Sequence, residues 1–523
     1  MPPAGTLPAR TFWSAPPFWF IALFVVAAQC VWVGGSAITN TALFPDSAEQ
    51  FIWSQSLEWG YYKHPPLTTW LFAGALYVFG PHPWVAGFLS GACLAAAGML
   101  TWAIATRLLG PRLALFSVLL WSLQQPFSVR AYLYNHNVPL VLCVALCAWA
   151  VLAASQRPQR ARLWALAGLA AGLGLLVKYQ ALLPLLGLIW ALWRSGAFAR
   201  PGVVRGLAGA IVIALLVCAP HLAWLITHHA PTLDYVSEAV ETLTLGARTH
   251  QLTAFMVLQL RTLLPALLCA GLWVAMSRWA ATRAPQAARC AAVDDNGLLG
   301  RERRAWLEGL VVVPITLVLA ASAFGGMHLQ GQWGMQSLQF AALGVVALLA
   351  TRLSHLTPRA GVGIAAAVHA VGAGLVVHLG LLHARAPEDA THSLQYGKAQ
   401  VITDAILADW RKITPCPLGY IVGDSHLAGL VSAYSGTHPP VLEAGDPRKS
   451  PWIDAEKMRR AGSVHIAVSV DLLPPGAIHH PDMTLPPIVW RRPMALVWGI
   501  VPPATACPPS APSARSPVAA QPE

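Results

Sequence analysis

Long apolar runs that carry almost no charge constrain this chain more than any other feature. Residues 18–36, 85–106, 203–226 and 361–383 each reach or exceed the roughly 18 to 20 residues a helix needs to cross a hydrocarbon core. Only 11% of the 523 residues are charged, where a soluble domain carries about 25%. Mean hydropathy is +0.54, so most of the chain belongs in lipid. The expected fold class is mainly α, a polytopic membrane protein.

Apolar runs near residues 18–37, 83–106, 113–128, 138–154, 163–177, 180–193, 206–226, 252–277, 309–324, 334–351 and 361–383 predict 11 transmembrane helices. The fifth and sixth are short and nearly contiguous, a bent or re-entrant pair that leaves the count open by one or two. The formal charge of +12 comes from arginines in short loops: Arg157, Arg160 and Arg162; Arg194, Arg200 and Arg205; Arg278, Arg283, Arg289, Arg301, Arg303 and Arg304. That pattern reads as positive-inside topology and excludes a nucleic-acid partner. These loops and the N-terminus are then cytoplasmic, and the first span, with Arg10 before it, is an uncleaved helix.

Carboxylates obey the same parity. The first 293 residues hold only Asp46, Glu49, Glu58, Asp234, Glu238 and Glu241, all in two long outside loops, residues 38–82 and 227–251. Ionised carboxylates are costly in lipid, so their confinement is informative. Residues 1–384 read as the membrane domain, with outside loops 38–82, 129–137, 227–251 and 325–333. Residues 385–507 read as a small periplasmic α/β domain, with strand-like runs at 419–422, 465–470 and 495–501 and helical stretches at 426–434 and 454–461. The Pro-, Ser- and Ala-rich residues 508–523 read as a disordered tail. Cys416 and Cys507 lie beyond the last span and form a disulfide if that region is periplasmic. No CxxC or Cys/His metal spacing occurs.

The polar residues of the outside loops are the candidate site. Residues 51–59, with Phe51, Ile52, Trp53, Leu57 and Trp59, read as an interfacial helix. Asp46 at its start either caps that helix or, desolvated and raised in pKa, takes a proton from an acceptor hydroxyl. Lys63 and His64, before Pro65-Pro66, hold a cation near a lipid phosphate or simply snorkel. Tyr134-Asn135-His136-Asn137 offers hydroxyl and amide groups to a sugar, or caps the fourth span through Asn137. Lys178-Tyr179-Gln180 interrupts an apolar stretch, and a lysine there points to an anionic partner such as phosphate. His221, Trp224 and the segment Met327 to Trp333 lie on the same side.

Asp46 with the aromatic segment after it and Gly60-Tyr61-Tyr62-Lys63-His64-Pro65-Pro66-Leu67 resembles the first-loop signature of GT-C glycosyltransferases. The resemblance is to the bacterial branch related to lipid A aminoarabinose transferases and protein mannosyltransferases. Tyr134-Asn135-His136-Asn137, Lys178-Tyr179, Pro220-His221-Leu222-Ala223-Trp224, Gln332-Trp333-Gly334, Gly423-Asp424-Ser425 and Ser450-Pro451-Trp452-Ile453 follow in the order that branch shows. The resemblance implies an inverting transferase on the periplasmic face of a bacterial inner membrane. Its donor is a polyprenyl-phosphate sugar, and its acceptor an envelope lipid, glycan or protein. It also implies Asp46 as the acceptor-activating base with Glu49 beside it, and Lys63, His64, Lys178 and Tyr62 around the donor phosphate. Tyr134, Asn135, Asn137, Tyr179, His221 and Trp333 are left to sugar or acceptor. Relatives often carry Asp-Glu at Asp46-Ser47 and an aspartate near Asn137. The missing aspartate puts divalent metal in doubt, so no metal or other cofactor is expected.

Two other classes fit parts of the pattern. A non-catalytic flippase for lipid-linked sugar would favour polar residues at mid-membrane. A hydrolase built on Gly423-Asp424-Ser425 would need Asp471 with His479 or His480 as partners.

Overall fold

Each apolar run of the first 385 residues folds as helix, since a backbone in lipid must satisfy its own hydrogen bonds. The computed structural model describes residues 16–39, 42–229, 232, 235, 244–283, 300–385, 398–480, 483–485 and 494–504. It divides into two compact units, Met1–Arg385 and Ala386–Glu523. Asp234, Glu238, Glu241, Arg289, Cys507 and the tail 508–523 lie outside the described residues.

The first unit runs α1 (Phe18–Thr39), α2 (Pro45–Trp53), α3 (Leu67–Phe79), α4 (Trp84–Leu109), α5 (Pro111–Leu123), α6 (Asn137–Gln156), α7 (Ala161–Val177), α8 (Leu182–Arg194) and α9 (Val203–Thr227). It continues with α10 (Leu245–Arg283), α11 (Arg301–Gly325, with a π-helical turn at Glu308–Val312), α12 (Gly334–Ser337), α13 (Ala341–Leu349) and α14 (Pro358–Arg385). Among the described residues, seven helices are long and apolar enough to cross a membrane: α1, α4, α6, α9, α10, α11 and α14. An eighth span results if the pair Gly331–Ser337 and Ala341–Leu353, bent by 59°, crosses as one. The chain is thus a multi-pass membrane protein, but length and apolarity do not supply all eleven spans. The shortfall lies at α5, α7 and α8, which have only 13, 17 and 13 residues.

The centre of the bundle is α6, whose apolar window is 78% buried, against 28% for α10 and 22% for α14. It packs on α7, and α7 packs on α9. A Cβ on Gly168 of α7 would sit 2.3 Å from the Ala210 carbonyl oxygen of α9, so glycine lets the backbones meet, as membrane helix pairs do. A buried polar chain ties α1, α5 and α14. The Trp32 indole donates to His369 Nδ1 (2.8 Å), and the other ring nitrogen lies 2.9 Å from Ser122 Oγ. An indole only donates, so His369 carries its proton on Nε2.

The bundle has two chemically distinct ends. At one, Arg200 pairs with Glu302 (3.1 Å), Arg194 with Glu308 (3.5 Å), and Arg107 donates to Gln156 (3.1 Å). The other end carries Asp46, Lys178 and their neighbours.

The second unit is a small α/β fold. Helix α15 (Lys398–Ile413) precedes β1 (Tyr420–Gly423), α16 (Ser425–Tyr434), β2 (Val441–Glu443), α17 (Ala455–Ala461) and β3 (Ser463–Ala467). Then come β4 (Ile478–His479), β5 (Met483–Leu485) and β6 (Met494–Val501). The strand order is β2-β1-β3-β6-β4, with β5 also on β6; the first three are parallel and β6 runs antiparallel to β3. Val441, Ile421, Val464 and Ile500 fall in register across it, and none is exposed. Cys416 is disulfide-bonded.

The Gly-Asp-Ser turn has a structural task. Asp424 caps α16, accepting from the backbone N–H groups of His426 and Leu427 at 2.9 and 3.1 Å. His480 pairs with Asp409 (3.0 Å) rather than with Asp471. The hydrolase constellation is therefore not assembled through His480.

Candidate active site

The first loop packs against the bundle through α2. The expected interfacial helix at residues 51–59 is displaced: α2 starts at Pro45, whose fixed φ suits a first helical turn, and ends at Trp53. Phe51, Ile52 and Trp53 are buried, while Leu57 and Trp59 lie beyond the helix. A second helix, α3, follows the two prolines within the stretch expected as an outside loop. Asp46 lies in the first turn of α2 but does not cap it, because the N-cap position is Phe44 and no side-chain cap bond forms.

Side chains of α2 hold the loop in place. Ser47 Oγ donates to the Tyr134 carbonyl (2.9 Å), and Gln50 accepts from Thr69 (2.7 Å) with its amide nitrogen 3.4 Å from His136 Nε2. Farther on, a Cβ at Gly60 would lie 2.3 Å from the Trp224 ring of α9, so only glycine admits the indole. His221, one turn before Trp224, donates from Nδ1 to the Trp59 carbonyl (2.6 Å), leaving Nε2 to accept from Tyr179 Oη (2.7 Å). The first loop, the turn after α7 and the end of α9 are thereby joined.

Asp46 and Lys178 face each other inside this frame. Burial raises the Asp46 carboxyl above its ordinary value, against the pull of Lys178, a hydrogen bond from Asn135 and Lys63. Lys178 follows α7, where the helix breaks into the short 3-10 turn Tyr179–Ala181. Its Nζ donates to Asn137 Oδ1 (3.3 Å) and lies 5.9 Å from the centre of the Trp333 ring. Burial lowers the ammonium to about 8, and Asp46 is the one charge that opposes this. The two charges sense each other, yet among the described residues Lys178 forms no ion pair within 4.0 Å. The carboxylate and the cation thus act on each other's charge without forming an ion pair.

The second lysine is already neutralised. Lys63 pairs with Glu49 and lies 6.0 Å from the centre of the Tyr235 ring, to which Tyr62 also packs (5.8 Å). Glu49, expected beside Asp46, thus directs its carboxylate to Lys63. His64 does not extend that cation: its ring lies on His136 with centroids 3.8 Å apart. Burial, then His136 and the lysines, hold His64 neutral, and burial and the lysines do the same to His136.

The sugar candidates separate into two groups. Asn135, Asn137 and Trp333 surround Asp46 and Lys178, while Tyr179 and His221 form the strut to Trp59. Tyr134 is withdrawn: it is fully buried, stacks on Phe72 and donates its hydroxyl to the Thr68 carbonyl (2.8 Å). Asn137 opens α6 but does not cap it: the N-cap position is His136 with no side-chain cap bond, and Asn135 Oδ1 accepts the Asn137 backbone N–H (2.9 Å). Sequence reasoning missed Gln50, His136 and Gln259. Gln259 donates to the Gly331 carbonyl (2.9 Å) and fixes the turn that carries Trp333. Gln259 alone carried a local signal, a polar residue within an apolar run, whereas Gln50 and His136 lie among other polar residues. No group of three or more His, Cys, Asp or Glu among the described residues is arranged to hold a metal ion.

Comparisons with known proteins bear on this arrangement. A crystal structure of ArnT from Cupriavidus metallidurans bound to undecaprenyl phosphate superposes over 92% of this chain and 98% of that one, with a TM-score of 0.60 at 16% identity. The chain has the GT-C fold. The family model for dolichyl-phosphate-mannose-protein mannosyltransferase matches residues 63–224, which run from Lys63 to Trp224 of the GT-C unit. The lipid A galacturonosyltransferase RgtD of Rhizobium johnstonii is 26% identical over 235 residues, 45% of this chain and 49% of that protein. The lipopolysaccharide core galacturonosyltransferase RgtB of the same organism is 30% identical over 213 residues, 40% and 42% respectively. The matched region spans about half the length of each curated relative.

Proposed function

We propose that this GT-C protein is an inverting glycosyltransferase that moves a sugar from a polyprenyl-phosphate carrier, such as undecaprenyl phosphate, to an envelope lipid, glycan or protein. The observation that carries the reading is the Asp46 carboxyl, raised by burial, within electrostatic reach of a lysine that forms no ion pair among the described residues. The acceptor hydroxyl attacks the anomeric carbon and a new C–O bond forms as its proton passes to Asp46. The bond from that carbon to the phosphate oxygen breaks on the far side, and the electron pair leaves with the carrier phosphate. Lys178 stabilises the charge that develops there. Asn137 and Trp333 hold the ammonium in place, whereas Lys63, paired with Glu49, adds no net charge there. The undecaprenyl phosphate bound to ArnT, and the lipid A and lipopolysaccharide core for which RgtD and RgtB are named, support the substrate classes.

The reaction takes place on the periplasmic side of a bacterial inner membrane. The support is electrostatic: arginines gather at the end opposite Asp46, and arginine-rich loops stay in the cytoplasm. The N-terminus is then cytoplasmic and the second unit periplasmic.

Asp46→Asn tests the function. Removal of a positioned base costs about 10²- to 10⁴-fold in rate. Mass spectrometry of envelope lipids and glycans is therefore expected to show the same missing sugar in cells carrying Asp46→Asn as in cells lacking the protein. A profile unchanged from wild type in both strains would refute the transferase. Loss of the sugar only in cells lacking the protein would favour a carrier that moves lipid-linked sugar without chemistry.

A further inference from the structure

Four arginines line one cavity at the end of the bundle opposite Asp46. Arg107, Arg200, Arg301 and Arg303 surround a space of about 450 Å³. Glu302, the one carboxylate in its wall, pairs with Arg200 (3.1 Å). Among the described residues, no carboxylate lies within 4.0 Å of the Arg107, Arg301 or Arg303 guanidinium. Arg107 gives one hydrogen bond to Gln156 Oε1 (3.1 Å) and Arg301 one to the Arg194 carbonyl (3.3 Å), while the Arg303 guanidinium gives none to a described residue. A guanidinium has five N–H donors, so most of this capacity is unused within the protein. Positive-inside topology asks for arginines at this end but not for their convergence; Arg160, Arg162 and Arg304 meet that demand as exposed side chains outside the cavity wall. Three cations without a carboxylate in one concavity repel each other, a cost that an anion between them removes.

We propose that this cavity binds the phosphate of an anionic phospholipid whose acyl chains stay in the surrounding bilayer. The walls are helix ends: Arg107 lies two residues before the end of α4, Gln156 ends α6, and Gly300 directly precedes α11. All three helices are long and apolar enough to cross a membrane, so the cavity lies at the level where hydrocarbon meets headgroups. Guanidinium forks match phosphate oxygens in pairs, and basic pockets between membrane helices take anionic headgroups. The excess of cations favours a lipid with net negative charge over a zwitterionic one, whose own ammonium offsets its phosphate. A soluble phosphate offers the same oxygens but lacks the chains that concentrate a lipid at this level. A lipid held by Arg107 and Arg303 ties the end of α4 to the start of α11, and so stabilises the bundle.

The test uses full-length protein in nanodiscs of mixed phosphatidylglycerol and phosphatidylcholine. Native mass spectrometry is expected to find phosphatidylglycerol retained by the wild type in preference to phosphatidylcholine, and about tenfold less of it on Arg107→Gln with Arg303→Gln. Arg160→Gln with Arg162→Gln removes the same charge at the same end but outside the cavity, and should retain the lipid as the wild type does. In detergent, added phosphatidylglycerol should raise the Tm of the wild type and of the Arg160/Arg162 variant but not that of the cavity variant, and glycerol 3-phosphate should raise none of them. Arg303→Gln alone, which breaks no side-chain bond among the described residues, should keep the wild-type Tm in lipid-free detergent and lose part of the retention. Equal loss of lipid in the two double variants would reduce the effect to general surface charge and overturn the site. So would equal retention of the two lipids by the wild type. A rise in Tm with glycerol 3-phosphate as large as with the lipid would overturn the lipid and assign the cavity to a soluble phosphate.

Discussion

At the scale of single residues, the separation between Asp46 and Lys178 has a measurable consequence. Both groups must be charged to act, the carboxyl as base and the ammonium as partner of the leaving phosphate. Asp46 is raised by burial, so the acid limb of kcat/KM should lie above the ordinary carboxylate range, with activity lost as pH falls through it. Lys178 is lowered to about 8, so activity should also be lost as pH rises through that value. The resulting bell reports the free enzyme. Lys178→Arg, whose guanidinium stays charged, should remove the alkaline limb, whereas Lys178→Met should lower turnover about 10²- to 10³-fold across the range. A flat profile between pH 5 and 9 would contradict both assignments. Asp46 and Lys178 were legible in the sequence because a charge beside apolar chain needs a reason. That Lys63 is spent on Glu49 and that Tyr134 is a core residue were not legible, since both depend on which side chains meet.

Helices and loops carry a different lesson. Aromatic residues suggest an interfacial helix at residues 51–59, but the helix begins earlier, and Phe51 and Trp53 enter the core while Trp59 stays exposed. Apolar content alone does not distinguish a ring that faces lipid from one that faces protein. The contact of Gly60 with Trp224 fixes the loop to α9, and its energetic weight can be measured. In Gly60→Ala the new Cβ would fall 2.3 Å from the indole, and overpacking of this kind costs about 1–3 kcal/mol. The variant should melt at a lower temperature and turn over more slowly, and Gly60→Ala with Trp224→Ala should recover part of the lost Tm. Failure of the double variant to recover any would show that the contact is not what holds the loop. His369 belongs at this scale too: one histidine within an apolar run joins three helices, and nothing in its own sequence neighbourhood names Trp32 or Ser122.

For the whole molecule, charge separation between the two ends of the bundle predicts orientation. In intact cells a membrane-impermeant maleimide should label Leu57→Cys, which is exposed at the Asp46 end, and should leave Arg301→Cys unlabelled until the membrane is permeabilised. Both changes are made in a variant with Cys30, the exposed free thiol among the described residues, and Cys290 replaced by Ser. Labelling of both positions in intact cells, or of Arg301→Cys alone, would reverse the assignment. The α/β character of the second unit was readable from its strand-like and helical runs. Its sheet order was not, because pairing between strands distant in sequence leaves no local mark.

By itself the sequence determined that the chain is helical and membrane-bound, that its arginines and early carboxylates occupy opposite ends, and that Asp46 and Lys178 share one of them. Those facts follow from the cost of moving charge and unpaired backbone into lipid, which acts on every residue wherever it lies in the fold. Only the tertiary structure decided which cation remains available, which tyrosine is core, and which arginines meet in one cavity. Each of these depends on contacts across tens or hundreds of residues, and a hydrogen bond or ion pair is made or lost over less than an ångström of placement.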